Sequence, residues 1–475
     1  IILAKKLTIN KIAIMQVPKF KEFITEEKEK PFLRLLIITD EPEEAKTFHT
    51  ADRLKEECDK LSYPHYLFKL TGGYTTFENG VRKFHNKDDK KGFEVGAMTV
   101  AIVRGSITRK DSWMDFVSIL ERANATLVNP RTTINVCADK YRTALRLADY
   151  GLTQPKTKLI NDPEKSIEQV EQADIKFPLI MKTLRGSKGV GVLFLDSERG
   201  LDSIVQLIHK QDEDADLLVQ EYIKTEYDVR VHILGGKFLA AMKRPVIEGD
   251  FRSNVSQGSK PQNIKLTELE IEECLKASKA VGGYWTAVDF IPSKNRESQP
   301  PFMLEVNSSP GTEGIEDATN MNIAKEVITH FAKEENRYTV PTECGFKEII
   351  TIKPFGELIS KFDTGNSGMP VIHADKFQVE KNNTIRWSLL GKTITSKIVK
   401  TEEISVGGLR DYEETRYVVK LDVEFAGGFY KDVEFTIDDR EDRTPILLDR
   451  AFMKRLNVMV NPQRKYVITT KYSID

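Results

Sequence analysis

Cysteine is scarce in this chain: Cys58, Cys137, Cys274 and Cys344 are the only four in 475 residues. They stand far apart, with neither the paired spacing of a disulfide framework nor the close spacing of a zinc site. A small stapled secreted fold is therefore excluded, and reduced thiols in a cytoplasmic protein are expected. Long apolar runs are missing too. No stretch approaches the ~20 residues of a membrane-spanning helix, and the opening Ile1-Ile-Leu-Ala-Lys-Lys lacks a secretory cleavage pattern. Nor is there an excess of either charge: 71 Lys plus Arg face 72 Asp plus Glu, a net charge of -1. A dedicated nucleic-acid binder carries a basic domain, so no direct nucleic-acid binding is expected. Any bound anion must be met by basic residues gathered locally. Low-complexity segments and internal repeats are absent. What remains, 40% hydrophobic and 30% charged residues, suits real cores under a solvated surface, and the length implies about three domains.

The most informative stretch is residues 303–313, Met-Leu-Glu-Val-Asn-Ser-Ser-Pro-Gly-Thr-Glu. Phe302, Leu304 and Val306 alternate with Met303, Glu305 and Asn307, the period of two of a strand. Glu305 and Asn307 then share a side, about 7 Å apart. Oxygen-bearing side chains so placed suit a hard divalent cation that also holds phosphate oxygens. Asp289, within the apolar run Trp-Thr-Ala-Val-Asp-Phe-Ile of residues 285–291, is a third hard ligand. Two ordinary strands with a wet polar face explain the stretch equally well when it is taken alone.

Upstream, residues 33–39 are a short apolar run typical of a buried parallel strand, and residues 43–61 have helical spacing. Strands near 66–70 and 98–103 and a helix near 112–123 complete an α/β layer. Arg104 follows the second of these strands at the edge where such sheets bind ligands, although a surface arginine is the commoner reading. Asp139 sits where negative charge favours a helix start. In the apolar stretch 177–184, Lys182 stands out, because a buried lysine requires an anion. Residues 185–191, Arg-Gly-Ser-Lys-Gly-Val-Gly, are a glycine-rich hairpin with no Gly-Lys-Ser/Thr, which excludes a Walker A loop.

Residues 217–223 read as a strand. Residues 228–243 read as a hairpin turning at Gly235-Gly236, with Asp228, Arg230 and His232 on one face. Asp228 and Arg230 either form a salt bridge or face a polar ligand; His232 is given no chemistry. The loop 248–258 holds Arg252, able to fork onto carboxylate or phosphate. Thr267 and Glu270 form a capping box for a helix through Ala280. Residues 315–333 read as one closing helix.

Taken in order, Lys182, the glycine-rich loop, Gln220-Glu-Tyr-Ile, Asp228-Val-Arg, Asp250-Phe-Arg-Ser-Asn, Asp289 and Glu305-Val-Asn-Ser-Ser-Pro-Gly resemble the ATP-grasp family. Their wording is similar to the RimK-type ligases, which add glutamates to a ribosomal protein. The resemblance covers roughly residues 98–333. It implies that Lys140 and Lys182 contact ATP phosphates, that Glu221 and Tyr222 lie on the adenine-binding strand, and that Asp228 sits by the nucleotide. Arg252, Ser253 and Asn254 would line the phosphate and substrate side, with Arg252 catalytic. Asp289, Glu305 and Asn307 would bind two Mg²⁺ or Mn²⁺. The implied chemistry is carboxylate attack on the γ-phosphate, giving an acyl phosphate, then attack by an amine; phosphoryl transfer is mainly positioning and charge neutralisation.

The last ~125 residues shift to short strands and β-branched residues. Asp363-Thr-Gly follows an apolar strand, and Pro445-Ile-Leu-Leu-Asp-Arg-Ala-Phe follows later. This resembles one lobe of a retropepsin-type aspartic peptidase of the RimB family, with Asp363 catalytic. Asp449 departs from the pattern, standing where such folds carry glycine. The family's zinc label is discounted, since no His-Glu-x-x-His or Cys/His cluster exists. The expected architecture is multidomain. An α/β pre-ATP-grasp domain (1–135) and an α+β ATP-grasp domain (136–335) lead through a linker (336–345) to an all-β retropepsin-like barrel (346–475). Expected partners are ATP, glutamate and a protein substrate with an accessible C-terminus, a ribosomal protein by the resemblance. A homo-oligomer, dimeric through the peptidase domain or tetrameric, is also expected. The alternative is an ATP-grasp ligase for another carboxylate and amine, carrying a non-catalytic C-terminal binding module.

Overall fold

The computed structural model describes residues 34–40, 49–78, 81–96, 98–184, 191–213, 215–247, 260–337, 341–405, 413–425, 428–440 and 444–469. The backbone divides into two compact units, Ile1–Tyr338 and Thr339–Asp475. No helix among the described residues is long and apolar enough to cross a membrane.

The first unit begins with a four-stranded parallel sheet in the order His65–Lys69, Arg34–Thr39, Thr99–Val103, Thr126–Val128. Leu35, Leu36, Ile37 and Ile38 are all fully buried. Helices on both faces account for a continuous apolar run rather than an alternating one. On one face the helix Asp111–Arg122 buries Trp113, Met114, Val117 and Leu120. On the other, Ala51, Leu54 and Cys58 of the helix His49–Lys60 pack with Val327 and Phe331. A small antiparallel sheet, Tyr74–Glu78, Val81–His85 and Phe93–Val95, is an addition that the apolar pattern did not announce. Its Phe84 ring meets Phe68 edge-on at 5.0 Å.

Two antiparallel sheets follow. The smaller runs Val192–Leu195, Leu179–Thr183, Leu217–Glu221, Thr157–Ile160 and is covered by Val170, Leu201 and Val205 of two helices. The larger runs Gln262–Asn263, Lys237–Pro245, Tyr227–Leu234, Trp285–Ile291, Phe302–Asn307. The helix Glu268–Ala280 lies on it, and the expected capping box between Thr267 and Glu270 is complete. The single closing helix expected over 315–333 is instead two, Glu313–Thr319 and Ile323–Ala332. Asn320 breaks it by adopting a left-handed backbone (φ 55°), and Asn322 then caps the second helix through the Lys325 amide.

Asn129, fully buried beyond the strand Thr126–Val128, ties these layers together. Its Nδ2 donates to the carbonyls of Trp285 and Ser308, each at 2.7 Å. Its Oδ1 accepts from the amides of Tyr284 at 2.6 Å and Trp285 at 3.0 Å. One side chain thereby satisfies four main-chain groups next to the stretch that carries Glu305 and Asn307.

In the second unit, six strands close into a ring: Lys347–Ile352, Gly356–Phe362, Ile446–Leu448, Val371–His373, Gly428–Asp438 and Glu413–Phe425, the last pairing back to the first. The helix Arg450–Leu456 and a three-stranded sheet, Lys376–Glu380, Thr384–Leu389 and Lys392–Lys397, are appended. Fully buried Glu348 anchors the far end of the chain. Its Oε1 accepts from the amides of Gly345, Val467 and Ile468 at 2.6, 2.9 and 3.2 Å. Its Oε2 accepts from the amide and hydroxyl of Thr469 at 2.9 and 2.6 Å. The expected α/β, α+β and all-β parts are thus all present. Within the stretch expected as linker, the strand Thr342–Gly345 runs parallel to Val458–Asn461. The four cysteines form no disulfide, and burial pushes the Cys58, Cys137 and Cys344 thiols up to about 12.

Asn129→Ala would leave four buried main-chain groups without their partner. A loss of roughly 3 kcal/mol or more is expected, read as a lowered urea midpoint with an unchanged slope. A midpoint within error of the unmutated chain would show that Asn129 carries no such load.

Candidate active site

The larger sheet of the first unit carries a line of alternating charges across its strands. Cross-strand pairing puts Asp228 opposite Arg244, Arg230 opposite Asp289, and Asp289 opposite Glu305. Arg244 grips Asp228 with two bonds of 2.7 Å and reaches Asp289 at 3.0 Å. Arg230 grips the same Asp289 through bonds of 2.7 and 2.6 Å and stands 3.9 Å from Glu305. Burial alone would push the Asp289 carboxyl up, but the two guanidiniums override it and hold the acid well below the usual carboxylate range. Asp289 is only 3% exposed. The Glu305 side chain, at 38%, is the open end of the line. Asn307 donates to Glu305 Oε1 at 3.1 Å.

Register explains this arrangement and corrects two expectations. Asp228 does not pair with Arg230; its partner is Arg244, across the hairpin. The alternation expected through 302–307 also fails in part, because the register shifts between Asp289 and Phe290. Met303 is fully buried while Leu304 is half-exposed. Beyond the shift Val306 points to the core, and Glu305 and Asn307 share the opposite face as expected.

Two lysines face the same carboxylate from other elements. Lys140 opens the helix Lys140–Asp149, whose start is fixed by Asp139 accepting from the amides of Tyr141 and Arg142, each at 3.0 Å. Lys182 lies on the strand Leu179–Thr183 and donates to Gln220 Oε1 at 2.5 Å; Gln220 in turn donates to Thr157 at 3.0 Å. Both lysines are half-buried. Burial pulls the Lys182 ammonium down to about 8, opposed by Glu305 and Asp289 and reinforced by Lys140. Burial lowers Lys140 as well, against the pull of Glu305 and Asp139. Two cations and one open carboxylate therefore interact across three elements.

Glu221 and Tyr222 lie at the end of the strand Leu217–Glu221, and Tyr222 meets Phe194 edge-on at 5.1 Å. Arg104 is not a surface residue: it is 8% exposed and lies over the Trp285 ring at 5.3 Å. His232 is fully buried, burial pulls it down to about 3, and neither ring nitrogen has a hydrogen-bond partner among the described residues. Arg252, Ser253, Asn254 and most of the glycine-rich loop (185–190) lie outside the described residues.

In the second unit Asp363 ends the strand Gly356–Phe362. Its Oδ1 accepts from the Gly365 amide at 3.0 Å and its Oδ2 from Lys361 Nζ at 3.1 Å. Burial raises the Asp363 carboxyl, but these two donors win and hold it below its ordinary value. Asp449, the departure from glycine, is 2% exposed and caps the helix Arg450–Leu456 through the amides of Ala451 and Phe452, at 2.9 and 3.1 Å. The loop stays tied to that helix by Asn366, whose carbonyl accepts from the Arg450 amide at 3.0 Å. A carboxylate is accommodated here because it satisfies a helix start.

Residues 137–331 match the model of the RimK-like ATP-grasp domain, and residues 345–471 match that of the retropepsin-like aspartic endopeptidase RimB. The "Probable alpha-L-glutamate ligase" of Legionella pneumophila (strain Corby) is 35% identical over 209 residues, 44% of this chain and 67% of that protein. The protein of the same name from Saccharophagus degradans is 36% identical over 217 residues, 45% of this chain and 70% of that one. The chain belongs to the RimK-like ATP-grasp ligase family, with a RimB-like domain after it. Similar solved structures include a RimK domain protein from Sphaerobacter thermophilus (TM-score 0.47, 15% identity, 62% of this chain and 98% of that one). Another is the D-alanine–D-alanine ligase of Bacillus anthracis complexed with ATP (TM-score 0.46, 19% identity, 64% and 99%). Both scores fall below 0.5.

ATP-grasp ligases join a carboxylate to an amine using ATP and a divalent metal. The donors in this RimK-like unit fit a small hard cation: Glu305 and Asn307 lie side by side, with Asp289 kept anionic behind them. Turning the Asn307 amide over would offer its oxygen in place of its NH₂. Asp289 has three of about four acceptor sites taken by arginines, which leaves it room for one further bond. Among the described residues no three His, Cys, Asp or Glu side chains gather into a cluster, so an amide oxygen is needed to complete the set. Arg244 and Asn129 are parts of this site that pattern reading passed over, and Gln220, quoted only as part of its motif, had been given no role.

An anion near Lys182 would raise its proton affinity above that of the free enzyme. Nucleotide binding at pH 8.5 should therefore take up protons, and affinity should be full below pH 8 and fall above it. Calorimetric titration with ADP in buffers of different ionisation heat measures the uptake. Heats independent of buffer would remove Lys182 from the phosphate site.

Proposed function

We propose that this chain is a bifunctional glutamate-tail enzyme. The first unit would ligate glutamate to the C-terminus of a protein substrate, the sixth protein of the small ribosomal subunit by the resemblance, and the second would trim the tail. The observation that carries the ligase part is the juxtaposition of Glu305, Asn307 and Asp289 on neighbouring strands, Glu305 being the open end of a neutralised line, with Lys140 and Lys182 within its electrostatic reach.

In this reading Glu305 and Asn307, backed by Asp289, hold Mg²⁺ or Mn²⁺, which would neutralise phosphate charge. Lys140 and Lys182 hold phosphate oxygens, and Gln220 keeps the Lys182 amine on station. Glu221 and Tyr222 stand at the adenine, Asp228 beside the nucleotide. Arg252, Ser253 and Asn254 line the phosphate and substrate side, as family likeness suggests. Arg230 orients Asp289 rather than the amino acid, because its Nε and Nη2 are engaged there; glutamate recognition then falls to residues such as Arg252. The substrate carboxylate takes the γ-phosphoryl group of ATP, releasing ADP. The glutamate amine then displaces phosphate from the acyl phosphate and gives up a proton.

Incubation with ATP, glutamate and candidate ribosomal proteins, read by intact mass, tests the proposal. Additions of one or more glutamyl residues are expected, and equal incorporation of lysine or alanine would refute the amino-acid assignment. Glu305→Gln should abolish ATP turnover with the circular-dichroism spectrum unchanged, since a neutral amide cannot hold divalent ions as a carboxylate does. Near-normal ligation by that variant would remove the metal site from Glu305.

The trimming half needs a second carboxylate, because aspartic catalysis uses two acids sharing one proton around a water. The chain supplies one Asp-Thr-Gly, so the partner in this reading is Asp363 of a second copy across a two-fold axis. The rival reading, a module that binds tails without cutting them, is favoured by the hydrogen bond from Lys361, which keeps a lone Asp363 ionised. Hydrolysis of an oligoglutamate peptide separates the two. If trimming holds, Asp363→Asn chains should produce longer tails than unmutated ones. Sedimentation showing only monomers, together with tails of equal length, would reject it.

A further inference from the structure

The strand Gly356–Phe362 separates its side chains in a way that leaves an unusual cation beside Asp363. Leu358, Ser360 and Phe362 are buried in the barrel, at 2, 0 and 2% exposure. Lys361 lies on the other face, two residues before Asp363, and so projects in the same direction. Its ammonium stands 3.1 Å from Asp363 Oδ2, and its side chain is 45% exposed. Lys347 occupies the cross-strand position directly opposite Lys361. Like charges directly opposed on one face are unfavourable. Among the described residues Lys347 has no carboxylate within ion-pair reach, and Lys361 has only Asp363. Arg440 adds a second positive charge acting on the Asp363 carboxyl. One acid therefore faces two cations, and a third, Lys347, stands beside the nearer of them.

That arrangement works against an aspartic dyad as it stands. One of two facing carboxyls must carry a proton, and a lysine bonded to one of them favours the ionised form. A neutral substrate offers Lys361 nothing better than Asp363. An acidic side chain beside the scissile bond does: a second carboxylate within the sweep of a four-carbon tether draws the ammonium away and frees Asp363 to share a proton. We propose that Lys361 is a specificity residue of the second unit, receiving the side-chain carboxylate of an acidic peptide next to the bond that Asp363 addresses. The inference rests on the reading of Asp363 as the functional acid of a unit that takes glutamate tails, and it adds the residue that would recognise the acid beside the bond.

The test uses the full chain carrying Asp363→Asn, so that bound peptide is not consumed. Acylation of lysines by an N-hydroxysuccinimide ester is followed by peptide mapping, with hexaglutamate or hexaglutamine present. Hexaglutamate should slow modification of Lys361 several-fold while Lys376, on an exposed strand, is labelled at an unchanged rate, and hexaglutamine should protect neither. Equal labelling of Lys361 with and without hexaglutamate, or equal protection by hexaglutamine, overturns the proposal. In the chain with Asp363 intact, Lys361→Met should lower kcat/KM on hexaglutamate about tenfold or more, the loss of a charge-assisted hydrogen bond, while a neutral peptide is cut no more slowly. Protection of Lys361 by hexaglutamate, together with no cleavage of any peptide by the chain with Asp363 intact, would sink the peptidase reading and leave Lys361 as the anchor of a binding module.

Discussion

Burying a charge demands a partner of opposite sign, and the larger sheet of the first unit is built around meeting that demand. Asp228, Arg244, Asp289 and Arg230 neutralise one another pairwise, three of the four being less than a tenth exposed. Removing Arg244 would leave buried Asp228 without its counter-charge, which costs far more than the pair itself contributes. What the line achieves is position. Asp289 is fixed and ionised, and Glu305, with only the distant edge of Arg230 at 3.9 Å within the sheet, draws further compensation from outside it. Lys140 and Lys182 approach from a helix and from the smaller sheet, so the site requires all three elements to be docked.

That docking depends on Asn129. A wall of parallel strands cannot present side chains to the neighbouring sheet without meeting its unpaired main-chain groups. Four of those groups are satisfied by a single amide. The second unit uses the same solution with Glu348, whose two oxygens collect five donors. Polar saturation in the interior, rather than apolar burial alone, sets the register of both units.

Much of this could be read from residue order. The run 33–39 betrayed a strand buried on both faces, Thr267 and Glu270 marked a helix start, and Gly235-Gly236 marked the hairpin turn. Glu305 and Asn307 stood out because two residues apart on a strand means the same face. The partner of Asp228 could not be read. Counting outward from the turn pairs Asp228 with Lys243, but a shift between His232 and Ile233 moves the partner to Arg244. Bulges depend on how neighbouring strands twist against each other, which no local pattern records. Arg104 was misjudged for a related reason: its cover is Trp285, far along the chain. Asn320 escaped because a helical pattern on both sides conceals a single left-handed residue.

The shift beside Phe290 has its own bearing on how this site can change over time. Leu304 is the extra residue that lets one strand keep two phases, with Met303 in the core before it and Val306 after it. Loss of Leu304 alone would leave Met303, Glu305, Val306 and Asn307 alternating with the partners they have now, whereas a deletion or insertion at any other position of the strand would turn one half of it over. Substitutions, by contrast, leave the phase alone. Drift in the hydrophobic half of the hairpin therefore stays mechanically insulated from the acidic half. Apolar-for-apolar changes in the buried half of this hairpin should be tolerated across relatives, while length changes other than loss of Leu304 should be purged.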